Sequence, residues 1–215
     1  AELIDRPVGY GKAFDRPAEA KIRAERNAAG ERLFSREDLL RMLAATDGQP
    51  VDVEGVPVTV PRSSIMRAMI LLGLNAGFGN TDIASLPKSA VNLSTGWIAF
   101  PRVKTAVQRS IPLWPETIAA LTEALAIRPE PKDAADAKLC FLTERGTPVV
   151  RMQPSKTKEH HHVCINAIAR RFELVLSALK IEGHRGLGFY TLRHIFKTAA
   201  GESRDQVAVD AIMGY

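Results

Sequence analysis

Phe189 to Tyr215 reads FYTLRHIFKTAAGESRDQVAVDAIMGY. Behind an aromatic pair, apolar residues recur at Leu192, Ile195, Phe196 and Ala199, the spacing of one helix face. Gly201 stops that helix, and Ser203 is placed to cap the next. The second helix carries Val207, Val209, Ile212 and Met213 and ends at Gly214-Tyr215. Two short helices then bring Arg193, His194 and Tyr215 near one another. Spacing alone leaves an α-hairpin with basic surface residues equally open.

The order of the residues narrows the choice. Leu192-Arg193-His194, Thr198, Gly201, Val207 and Met213-Gly214 follow one another as in the C-terminal signature H-x-L-R-H, Thr, Gly, Val, L/M-G-H. In this stretch the chain resembles the tyrosine recombinases, the phage-integrase family. Tyr190 stands where that family usually has His, and Tyr215 where it has His or Trp. The resemblance implies a catalytic domain that breaks and rejoins DNA through a phosphotyrosine intermediate, with no cofactor. It also implies double-stranded DNA as partner and assembly as a dimer or tetramer on it. A different class stays open: a catalytically silent DNA-binding module on the same scaffold.

Composition agrees with a soluble globular chain. Apolar residues make up 46% and charged residues 25% of 215, enough for one large domain or a domain plus an arm. The longest apolar run, Ile65 to Leu74, is broken by Arg67 and falls short of the roughly 20 residues a membrane span needs. No secretory signal opens the sequence. Cys140 and Cys164 form no CxxC pair, so two buried free thiols and a cytoplasmic location are expected. Net charge is +5, from 29 basic and 24 acidic residues. Arg151 to Lys197 holds nine Lys/Arg against three Asp/Glu, 9 − 3 = +6, which leaves the rest at −1. A basic third on a near-neutral body is the footprint of a phosphate-backbone binder; a solvated basic face is the plain alternative.

Residues 1–32 read as an arm or linker with one Ala-, Lys-, Arg- and Glu-rich helical stretch, Ala18 to Ala29. The folded domain is expected over 33–215. Ser35 to Asp38 is a capping-box start, with Leu39, Leu40 and Leu43 as its apolar face. Gly48 to Pro61 reads as a loop or short β-excursion. Ser64 to Ala76 is apolar all round, the mark of a core helix. Gly77 to Asp82 turns the chain into a short helix, Asp82 to Leu86, capped by Asn80 or Thr81. Val91 to Phe100 reads as a β-hairpin about Ser94-Thr95-Gly96, with a third strand over Arg109 to Leu113. A helix follows from Trp114 to about Ile127, then a short strand, Leu139 to Thr143, and a long amphipathic helix, Val163 to Leu179. The pattern is α+β, mostly helical with a small three-stranded antiparallel sheet. The resembled catalytic domain has the same order.

Strand transfer needs a nucleophile, cations for the phosphorane oxygens, an acid for the leaving 5′-oxygen and a grip on the duplex backbone. Arg193 is the candidate phosphate clamp, because its fork can hold two oxygens at once. The resemblance makes it one of two catalytic arginines, and makes Lys104, in Val103-Lys104-Thr105 ahead of Arg109-x-x-Pro112-Leu113, the general acid. Tyr190 and Tyr215 are candidate donors to phosphate oxygens, or packing aromatics, and His194 orders the site. Arg102, Arg170, Arg171 and Lys197 join Arg193 and Lys104 as expected DNA-phosphate contacts. The family's first arginine falls on Gly79 here, which has no side chain to offer; Arg102 is the nearby residue that could stand in. His160-His161-His162, read as the basic, DNA-facing start of a helix, point in different directions and have no spaced fourth ligand, so no metal is expected. In the family the attacking tyrosine follows the L/M-G-H box, so the sequence is expected to stop short of it at Tyr215.

Overall fold

In a computed structural model of the chain, residues 18–28, 33–155, 162–181 and 187–215 are described. The chain divides into two units, Ala1–Arg32 and Leu33–Tyr215. Helix α1, Glu19–Ala28, is the described element of the first.

The second unit is built around α3, Ser64–Ala76, which buries Met66, Met69, Ile70 and Leu72 together with Ala68 and Ala76. Such a helix must be covered on every side. It is packed by α2 (Arg36–Thr46), α5 (Pro115–Ala126), α6 (Ala167–Ala178) and α7 (Thr191–Gly201). α7 comes close at Gly73: a Cβ there would meet Leu192 Cβ at 2.9 Å. Only glycine lets α7 lie this near, and that approach carries the neighbouring Arg193 inward. Asn75 ties α3 to the sheet, donating to Pro112 O (3.1 Å) and accepting from Trp114 N (2.8 Å).

The sheet runs β3 (Val91–Asn92), β4 (Trp97–Ala99), β5 (Ser110–Pro112), all antiparallel. Ile98 faces Ile111 in register and both are fully buried, while Trp97, Ala99, Ser110 and Pro112 face out. This is the period-two alternation of a one-sided sheet. The expected three-stranded sheet and the helices around it are therefore present. Two further hairpins form separate two-stranded sheets: β1 (Val51–Val53) with β2 (Val56–Val58), and β6 (Val150–Pro154) with β7 (His162–Asn166). The first resolves Gly48 to Pro61 as a β-excursion, turning at Glu54 and Gly55, both at positive φ.

Several boundaries differ from the sequence reading. Val163 to Leu179 is not one helix. Val163, Cys164 and Ile165 pair with Gln153, Met152 and Arg151, and the Asn166 side chain then accepts from Ala169 N to start α6. β-Branched residues beside a partner strand outweigh a periodicity that Ile165 satisfies either way. Leu139 to Thr143 makes isolated bridges (Pro87 to Leu139, Leu142 to Pro148) rather than a strand. Helix α4 is Asn80–Ser85, with Gly79 as N-cap and Asp82 reaching back to its N–H. Asp205, not Ser203, caps α8 (Gln206–Met213). Leu40 lies outside the core, 56% exposed.

Candidate functional site

α7 leaves the core side by side with α3 and carries Arg193 beneath the surface, 2% exposed. Its guanidinium joins two helix ends: Nη1 donates to Gly77 O, at the end of α3, and Nη2 to Met213 O, at the end of α8, at 2.9 Å. A fixed cation at two helix C-termini meets the negative ends of their dipoles. Gly77 permits the junction, at φ 60 with Met213 Sδ 2.9 Å from where a Cβ would be.

The turn after β4 is fastened to the same place. Arg102 Nη1 (3.3 Å) and Thr105 Oγ1 (3.0 Å) both donate to Gly214 O. Lys104, between them, is exposed and makes no hydrogen bond or ion pair among the described residues. Residues more than a hundred positions apart are thus locked together. Tyr215 then lies among three cations, with Arg102 at 5.0 Å, Lys197 at 5.2 Å and Arg193 at 5.8 Å from its ring centre. Cations over an aromatic face are held by its quadrupole.

Beneath lies a pair that the sequence reading did not select. Arg109 Nη2 donates to Asp82 Oδ1 at 2.9 Å, and Asp82 Oδ2 accepts from Gly79 N at 3.1 Å. Arg109 also donates through Nε to Phe100 O and stacks over Phe78, 4.6 Å from the ring centre. Burial pulls its pKa below the ordinary value, Asp82 opposes that shift, and Arg193 and Arg102 add to it. The guanidinium nonetheless stays charged at neutral pH. The signal was present in the sequence: Arg109 opens the Arg-x-x-Pro-Leu run, and Asp82 is the acidic residue of the Gly77 box.

These elements enclose a pocket of about 440 Å³. Its walls are the start of α4 (Gly79 to Asp82), the turn with Arg102 and Lys104, one face of the β6–β7 hairpin (Val150, Cys164, Asn166), and Tyr190 with Arg193. Of the residues selected from sequence, Arg102, Lys104, Tyr190 and Arg193 line it directly. His194 lies against Tyr190, ring centres 5.2 Å apart and edge to face, and Lys197 reaches Tyr215. Arg170 and Arg171 do not share this pocket; they line a separate groove. Gly79 has an ordinary φ of −92. What limits a side chain there is space: a Cβ would meet Tyr190 Cε2 at 3.0 Å and Cδ2 at 3.1 Å. The Tyr190 ring thus lies over the position that a side chain at residue 79 would leave from.

Among the described residues no group of three or more His, Cys, Asp or Glu is placed to hold a metal ion. His162 lies in β7, and His160 and His161 fall outside the described residues. No described helix is long and apolar enough to cross a membrane.

No family model matches the chain, and no curated protein matches it. Solved structures do. XerA recombinase superposes with a TM-score of 0.62 at 16% identity, over 86% of this chain and 56% of that one. The Tn1549 transposon integrase in complex with a circular-intermediate DNA gives 0.61 at 16%, over 85% and 57%. The lambda integrase catalytic core gives 0.56 at 13%, over 86% and 91%. The chain thus spans about half the length of the first two and most of the third. Its fold is that of tyrosine-recombinase catalytic domains.

Proposed function

We propose that the protein cleaves and rejoins DNA strands in site-specific recombination, through a phosphotyrosine intermediate, working as a dimer or tetramer on double-stranded DNA. The observation that supports this best is the convergence of Arg102, Lys104, Tyr190 and Arg193 on one pocket, where Arg102 and Thr105 hold Gly214 O and Arg193 holds the adjacent Met213 O.

In this reading a non-bridging oxygen of the scissile phosphate meets Arg193. Two of the five guanidinium N–H donors are held by Gly77 O and Met213 O, which fixes the fork and leaves the others for substrate. Pre-set donors of this kind stabilise charge that develops in the transition state. The attacking tyrosine hydroxyl gives its proton to water as its oxygen bonds to phosphorus and the bond to the 5′-oxygen breaks, and Lys104 gives the 5′-oxygen its proton. Rejoining reverses the step: the 5′-hydroxyl returns a proton to Lys104 and displaces the tyrosine. The Tyr190 hydroxyl donates to a second phosphate oxygen. It serves there as a hydrogen-bond donor rather than as a proton carrier. Tyr190 and Tyr215 are supporting residues here, and the resemblance puts the nucleophile after the Met213-Gly214-Tyr215 box.

A second reading, the silent DNA-binding module, is favoured by one observation: Gly79 offers no guanidinium, and the Tyr190 ring crowds its Cβ position. Losing such a donor costs about 3–4 kcal/mol, roughly 10²–10³ in rate. A nicked suicide duplex separates the two. The full-length protein should form a covalent adduct that resists denaturation and is lost in Lys104→Ala. Binding without an adduct, over long incubation, would favour the silent module.

A further inference from the structure

The β6–β7 hairpin has two faces, and only one belongs to the pocket above. Val150 pairs with Asn166 and Arg151 with Ile165. Because side chains alternate along a strand, Val150, Cys164 and Asn166 face the pocket while Arg151 and Ile165 face away. On that far side is a groove of about 410 Å³ between the turn after Phe141 and helix α6. It gathers Arg145, Arg151, Arg170 and Arg171, with Glu144 as the carboxylate beside them.

The groove is built rather than incidental. Gly146 is at φ 69, and a Cβ there would be 2.2 Å from Glu130 O. Lys132 N also donates to Gly146 O at 2.8 Å. The turn carrying Arg145 is therefore pressed against the 130–132 backbone. Arg151 is set by a 2.9 Å hydrogen bond to Thr147 Oγ1, itself 2.8 Å from Thr143 Oγ1. Arg171 is held by Glu144 at 2.7 Å, but that carboxylate is 85% exposed, so solvent screens the pair and a better anion displaces it readily. Arg145 and Arg170 make no hydrogen bond or ion pair among the described residues. Four guanidiniums beside one screened carboxylate repel one another until an anion arrives.

We propose that this groove is a second phosphodiester-backbone site, gripping DNA on the side of the hairpin away from Lys104 and Arg193. The inference rests on the DNA reading above and extends it. Guanidinium forks match phosphate oxygens two at a time, and every cation in the groove is an arginine. A duplex carries a charge about every 1.7 Å, so DNA running past the hairpin presents phosphates to both of its faces. An acidic protein segment is the competing occupant, but it would want an apolar anchor, and the exposed apolar side chain here is Leu174.

The test is duplex binding over a salt series by wild type, Lys104→Ala, Glu144→Gln, and the combined Arg145→Ala, Arg151→Ala, Arg170→Ala protein. The slope of log K against log salt falls by about 0.9 for each phosphate that the protein no longer neutralises, so the combined variant should be shallower by about 2 to 3. Glu144→Gln should tighten binding by up to about five-fold. Where the combined variant melts early, Arg170→Ala alone, at an exposed and unbonded side chain, should lower the slope by about 0.9. A wild-type slope in the arginine variants, with Lys104→Ala still shallower, would overturn the second site and leave the DNA reading standing. Loss of polyglutamate binding with an unchanged DNA slope would give the groove to an acidic protein. No duplex binding by wild type would remove both readings together.

Discussion

Asp82→Asn strikes the support on which the pocket stands. Arg109 has a side chain 0% exposed and Asp82 one 10% exposed, 2.9 Å apart. The substitution keeps shape and an acceptor oxygen but strands a buried positive charge. Breaking a buried pair from one side costs about 3–5 kcal/mol. Arg109 keeps its bond to Phe100 O and its stacking on Phe78 and Phe100, at 4.6 and 5.7 Å. Each cation–π contact is worth about 0.5–2 kcal/mol, which argues for the lower end, about 3 kcal/mol. For a domain of this size that is a fall of about 6–12 °C in melting temperature. Urea unfolding should give the same loss with an unchanged slope. Replacing both partners, Asp82→Asn with Arg109→Met, should restore stability to within about 1 kcal/mol of wild type, because no charge is left unpaired. A loss below about 1 kcal/mol for Asp82→Asn, or a double variant worse than the sum of the singles, would refute the reasoning.

Gly79→Arg alone should do little for strand cleavage, because its Cβ meets the Tyr190 ring at 3.0 Å. Gly79→Arg with Tyr190→His should raise cleavage by about 10²–10³, and an equal gain from the single variant would show that the ring is no obstacle. Cys140 is buried and its thiol is pushed up to about 12 by that burial, from 9.0. Unfolded chains ionise it above about pH 9 while the folded protein keeps the proton, so its contribution is full below pH 9 and is lost on the way to pH 12. The loss is up to about 4 kcal/mol at the upper end, read as a falling urea midpoint that flattens in Cys140→Ala; parallel pH curves would contradict it. Lys104→Ala should make the salt dependence of duplex binding shallower by about 0.9, and an unchanged slope would take Lys104 away from the phosphates.

The C-terminal helix pair was legible because its order and its period agreed: Leu192 and Met213 are buried where the spacing put them, and Arg193 lies between. The β3–β4–β5 sheet was legible from Val91, Ile98 and Ile111 alternating with polar or exposed neighbours. The β6–β7 hairpin was not, since Ile165 satisfies the helical period of α6 as well, and only the partner strand decides. Pairing across the fold was also hidden. Nothing local in Arg109 announces Asp82, 27 positions away. Arg170 and Arg171 look like part of one basic patch until strand alternation turns Arg151 away from the pocket and toward them. Gly79 read as an absent arginine; that Tyr190 covers the same space depends on the Gly73 contact that seats α7.

Cys164 gives the most direct test, because it is exposed and forms part of the pocket wall along with Lys104 and Arg193. Its alkylation rate should be measured in the native protein with rising concentrations of duplex, at low and at high salt. Duplex should protect Cys164 in proportion to the bound fraction, with protection lost as salt releases the DNA. Buried Cys140 should stay unreactive throughout. Saturating duplex that leaves Cys164 alkylated at the free rate would contradict the account, because the DNA would then be bound somewhere other than this pocket.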